Sequence, residues 1–132
     1  MALTRLPPDD PREWLNRARS NLLQSGKIIP GVYLEDLCFD AQQATEKAIK
    51  ALFVHPSLAF PYTHDLSRLL GLLERSGLKI PKYVRKAHDL TPYAAESRYP
   101  GTFDPVSKRE HRRAVRIADA VLRWAERLIR HP

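Results

Sequence analysis

The chain has 132 residues, a net charge of +7 and a pI near 9.9, with 43% hydrophobic and 28% charged residues. That length and balance suit one globular domain and exclude a disordered chain. A single cysteine, Cys38, excludes an internal disulfide and a paired-cysteine metal knuckle, so a reducing cytoplasm is the expected compartment.

The opening MALTRLPPDDPREW has no apolar core segment, so no signal peptide is expected. No apolar run approaches the roughly 20 residues of a membrane helix, and no membrane partner is expected. Prolines punctuate the chain, and the stretches between them have helical rather than alternating periodicity. One all-α domain over 1–132 is predicted, with residues 1–10 as a flexible lead.

The first helix starts near Pro11. Asp10 is a good cap, Pro11 suits the first turn, and Glu13 completes a capping box. Leu15, Ala18 and Leu22 form its inner face beside Trp14, and Gly26 stops it. The second helix runs from Leu34 to Val54. Leu34, Leu37, Cys38, Ala41, Ala44, Ala48 and Leu52 make one stripe, and Asp36, Asp40, Gln43, Lys47 and Lys50 make another. The alanines invite close approach by a neighbour, which marks this helix as central. Glu46 and Lys50 stand in the favourable i, i+4 order.

The third helix starts at Thr63 or His64, with Asp65 in its first turn, and carries Leu66, Leu69, Leu70 and Leu73 toward Gly77. The fourth starts at Pro81. Pro92 either kinks it or begins a new helix capped by Thr91. The fifth spans Ser107 to Ile129, with an apolar face through Ala114, Ala118, Val121, Leu122 and Ala125. Arg109, Arg113, Arg116, Arg123, Arg127 and Arg130 lie opposite. That stripe reads either as a solvated face or as a phosphate contact. No aromatic residue interleaves with it, which argues against base stacking.

The histidines at 55, 64, 88, 111 and 131 form neither HxxxH nor HExxH, so no metal is expected. Cys38 falls in a core stripe, where a buried inert thiol is expected. Phosphate-cradling glycine loops are absent. Three segments remain as candidates for chemistry: AQQATEKAIKAL from 41, YTHDLSRLL from 62 and ESRYP from 96. His64 can meet a ligand or a structural carboxylate. Arg98 can pair with a carboxylate or a phosphate, and Glu46 is its expected structural partner.

Taken together, Gln42, Gln43, Ala44, Glu46, Lys47, Lys50, Ala51 and Leu52, then Thr63, His64, Asp65, Leu66, Leu69 and Leu70, then Arg98, Tyr99 and Pro100 resemble the HEPN domain family. The resemblance implies an up-and-down bundle of four long helices plus a short fifth helix. The fold would be like the helical domain of kanamycin nucleotidyltransferase, usually a homodimer, and of prokaryotic origin. Two roles follow from it. One is a non-catalytic, nucleotide- or substrate-binding partner of a minimal nucleotidyltransferase encoded by an adjacent gene. The other is a metal-independent ribonuclease toxin of a toxin–antitoxin pair.

The ribonuclease branch carries an arginine and a histidine separated by four to six intervening residues, a spacing found before none of the histidines here. Such cleavage needs a general base and a cation for the charged phosphorane. The binding module is therefore the leading expectation, with no catalytic residue, cofactor or metal. Nucleotide or phosphate contacts are expected at Lys47, Lys50, His64, Arg98 and Tyr99, with Lys47, His64 and Arg98 sharing one polar pocket. The Gln43–Lys47–Lys50 side is solvent, a dimer seam or the wall of a nucleotide cleft. The expected partners are a second copy of the chain, the nucleotidyltransferase, a nucleotide and, for the alternative, RNA.

Overall fold

Asp10 opens helix α1 (Pro11–Ser25) by accepting the Arg12 N–H, with proline in the first turn. The computed structural model describes residues 4–95, 99–101 and 104–130. Beyond α1 its elements are α2 (Leu34–Val54), α3 (Leu66–Arg75), a four-residue α4 (Lys82–Arg85), a 3-10 helix over Lys86–Ala94 and α5 (Lys108–Arg130). The molecule is an all-α bundle, and no strand occurs among the described residues.

Several helix starts differ from expectation for local reasons. Glu13 does not close a capping box, because the Asp10 N–H is already given to Pro7 O at 3.0 Å. Its carboxylate instead accepts from Leu6 N at 2.9 Å and Arg17 Nε at 2.7 Å. The cap of α3 is Asp65, whose side chain accepts from Arg68 N, while Thr63 Oγ1 accepts from Asp65 N. This sets His64 outside the helix and frees its ring.

Thr91 caps no new helix. Its hydroxyl accepts from Leu66 N at 3.3 Å, meeting one of the orphan donors at the start of α3. Pro92 lies inside the 3-10 stretch that continues α4, so the fourth helix is only briefly α-helical. Ser107 and Glu110 cap α5 reciprocally, at 3.0 and 3.2 Å.

Hydrogen bonds and ion pairs between elements fix their directions. Ser25 meets His111 and Arg19 meets Glu126, so α1 and α5 are antiparallel. Asn21 meets both Asp40 and Lys47, which places α1 beside α2 across their short loop. Glu35 in the first turn of α2 accepts from Val106 N at 2.7 Å, so α2 and α5 start together. Ser67 with His88 and Glu74 with Arg85 set α3 against the fourth element in antiparallel sense. The bundle is thus as expected, with one feature that periodicity does not encode. The connector 55–65 returns along α2 and brings His64 beside Glu46 before α3 begins.

Helix α2 is the centre, touching α1, α3, α5 and the 3-10 helix. Its Cys38, Ala41, Ala44 and Ala48 are fully buried, and these small side chains let α1 and α5 approach. Leu15, Ile49, Phe53, Leu66, Leu69, Leu73, Val84, Leu90, Val121 and Leu122 fill the space around them. Each such leucine or phenylalanine contributes about 1.5–3 kcal/mol by leaving water.

Candidate functional site

Two faces of α2 organise two separate polar regions. The first is centred on Glu46, which is 4% exposed. Its Oε1 accepts from Gln42 Nε2 at 2.9 Å and lies 2.7 Å from His64 Nδ1. Its Oε2 accepts from Lys50 Nζ at 3.0 Å. Burial alone pushes this carboxyl up, but the bonds from His64, Lys50 and Gln42 outweigh it and hold Glu46 below the usual carboxylate range. An ionised Glu46 only accepts, so Nδ1 of His64 is the donor in this contact. Lys50 also lies 5.2 Å from the Phe60 ring centre.

His64 further borders a groove of about 540 Å³ together with His88, Thr91 and Pro92. His88 Nδ1 lies 2.8 Å from Ser67 Oγ. Among the described residues no group of three or more His, Cys, Asp or Glu side chains gathers as metal ligands would.

The second region lies between α1, α2 and the segment before α1. A cleft of about 450 Å³ is lined by Leu6, Pro8, Glu13, Trp14, Arg17 and Lys47. Trp14 fixes the cleft wall. Its Nε1 donates to Pro8 O at 2.8 Å, and its ring meets Phe60 edge-on at 5.7 Å. Lys47 Nζ donates to Asn21 Oδ1 at 2.6 Å, and Asn21 Nδ2 donates to Asp40 Oδ1 at 3.2 Å. Burial first, and then the Arg17 charge, push the Lys47 amine below its ordinary value. Burial likewise pushes Asp40 up, against the bond from Asn21. Among the described residues no carboxylate stands within ion-pair distance of Lys47, whereas Arg17 is paired with Glu13 at 2.7 Å.

The expected site residues therefore divide. Lys50 and His64 meet on Glu46, while Lys47 turns to α1 and lines the other cleft. Arg98 lies outside the described residues, and with it the expected Glu46–Arg98 pair. Tyr99 is 62% exposed. Sequence reasoning gives Trp14, Arg17 and Asn21 no functional role. Their spacing along one edge of α1, beside its inner face, is the available signal.

The sequence model of the HEPN domain family matches residues 11–128. TT1696 from Thermus thermophilus has a similar solved structure, with a TM-score of 0.78 at 29% identity over 89% of this chain and 97% of that one. ST0689, described as an archaeal HEPN homologue, is similar with a TM-score of 0.73 at 25% identity over 96% of this chain and 99% of its own. None of the curated proteins matches the chain. With a helical bundle built on α2 and a family match spanning nearly the whole sequence, the chain belongs to the HEPN domain family.

Proposed function

We propose that the protein is a binding module, the non-catalytic helical partner of a minimal nucleotidyltransferase. It holds a nucleotide in the Trp14–Arg17–Lys47 cleft. The observation that carries this reading is Lys47. It is half-buried beside a second cation, its amine is met by an amide rather than a carboxylate, and its charge is disfavoured where it stands. A cation held at such a cost suits an anion that arrives from outside.

Trp14 supplies an aromatic wall for a base, and Arg17 supplies a second phosphate donor. The volume falls within the roughly 300–1,000 Å³ of small-molecule sites. Lys50 and His64 are engaged by Glu46, so they support the connector, and the phosphate contact falls first to Lys47, which has no carboxylate partner among the described residues. The sequence lacks the arginine–histidine spacing of the ribonuclease branch, which favours binding over cleavage.

Titration with nucleoside triphosphates, followed by tryptophan fluorescence and calorimetry, tests the reading. Saturable binding is expected, with the fluorescence change lost in Trp14→Phe because Trp124 is buried at 5% exposure. No saturable binding, either alone or with the product of the adjacent gene, overturns it.

A further inference from the structure

Helix α5 carries eight of the chain's Lys and Arg residues against Glu110, Asp119 and Glu126, so five of the seven net positive charges sit on this one element. Seven of the eight are arginine, the side chain whose fork matches phosphate oxygens. Arg109, Arg112, Arg116, Arg123, Arg127 and Arg130 are exposed and recur at three-, four- and seven-residue steps, which is one strip of the helix surface. At 1.5 Å per residue the strip is roughly 32 Å long.

The acids near this strip are mostly engaged. Glu126 is paired with Arg19 of α1, Glu110 caps Ser107, and Asp89 of the 3-10 helix takes Arg113. Asp119 alone meets a strip residue, Arg123, at 3.0 Å. Arg127 donates a single bond to Tyr83 Oη at 2.9 Å. Arg123, Arg127 and Arg130 border one shallow groove of about 330 Å³. Arg109, Arg112, Arg116 and Arg130 have no acidic partner among the described residues.

Along this strip Arg112 with Arg116, and Arg123 with Arg127, stand at i, i+4 as like charges, which weakens the helix.

We propose that the outer strip of α5 is a docking rail for the phosphodiester backbone of a nucleic-acid duplex. The length and chemistry fit that partner. A duplex carries one negative charge per about 1.7 Å, so the rail spans many phosphates. No exposed aromatic side chain of α5 interleaves with the strip to stack unpaired bases, which favours a duplex over a single strand. The contact is sequence-independent, because backbone contacts position without specifying. The site is separate from the Trp14–Arg17–Lys47 cleft.

The test is anisotropy of labelled 20-base-pair duplex DNA and duplex RNA with the full chain over a salt series. Binding of either duplex supports the rail, and the stronger one identifies the source of the backbone. Six phosphate contacts lose about 10³-fold in affinity between about 50 and 200 mM salt. In the Arg109→Gln, Arg112→Gln, Arg116→Gln triple variant the affinity falls at least tenfold. Its log–log salt slope becomes shallower by about 2.7. Lys27→Gln, Lys79→Gln, Lys86→Gln removes the same charge elsewhere and changes binding less than threefold, with circular dichroism verifying the fold of both variants. An equal loss in both triples, tighter binding of single strands, or binding to anionic phospholipid vesicles but not to duplexes overturns the proposal.

Discussion

Glu46 Oε1 and His64 Nδ1 lie 2.7 Å apart, and through this contact one buried carboxylate on α2 fastens the returning connector. The same carboxylate holds Lys50, whose side chain is only 10% exposed. Removing the anion leaves that ammonium buried without its counter-charge. Glu46→Gln is expected to lower stability by about 3 kcal/mol. Lys50→Met costs less, because Glu46 keeps His64 and Gln42. Urea unfolding at neutral pH measures both, and an unchanged midpoint for Glu46→Gln refutes the counter-charge role.

The same residue sets part of the acid response. Its folded-state pKa lies below the ordinary glutamate value of 4.5, so on acidification the unfolded chain takes up this proton first. The stability it contributes is complete above about pH 4.5 and is lost as pH falls through the folded value. As pH falls below about 4.5, the wild type should therefore lose stability faster than Glu46→Gln. Parallel slopes in thermal melts across this range would show that another group titrates.

For Lys47 the sign is reversed. Its folded-state pKa is depressed, so at neutral pH the charged amine opposes folding, and the penalty disappears only above both pKa values. Lys47→Met keeps the aliphatic stem and removes the charge. Thermal stability is expected to stay level or rise while nucleotide affinity falls about tenfold, or about 1.4 kcal/mol. A variant that melts early yet binds normally contradicts the ligand role.

Ser57 lies in the turn that follows α2 with φ +60, in the left-handed region, and Leu58 N donates back to Phe53 O at 2.7 Å. Glycine is the residue that suits this turn. Ser57→Gly is expected to stabilise the fold by about 0.5–1 kcal/mol, read as a higher denaturant midpoint.

Cys38 is fully buried, and burial foremost pushes its thiol up to about 12. Native protein at pH 8 should react with a thiol-specific disulfide reagent only at the rate of unfolding. Immediate stoichiometric labelling would show that the thiol is open to solvent.

Much of the bundle was legible because its long helices carry clean periods. The stripe from Leu34 to Val54 matches α2, and the alternation of Ala114, Ala118 and Leu122 with arginines matches α5. The region 55–65 has no period, so its return along α2 could not be read, nor could the meeting of His64 with Glu46. The fourth element fails for a different reason: Pro92 signals a break, but not that a 3-10 helix holds it. Lys47 and Glu46 are neighbours in sequence, yet about 100° apart around a helix of 3.6 residues per turn. That rotation sends them to different clefts, so adjacency of polar residues in the chain did not define one site.

The pairing of Glu35 with Val106 joins positions 71 residues apart. During synthesis α1 can cover one flank of α2 almost at once, but the opposite flank waits for α5 to leave the ribosome. At about 5–20 residues per second that interval is roughly 4–14 s. Through it the nascent chain presents an open alanine-lined seam, which is the window in which a holding chaperone, or a misplaced helix from another chain, competes with native closure.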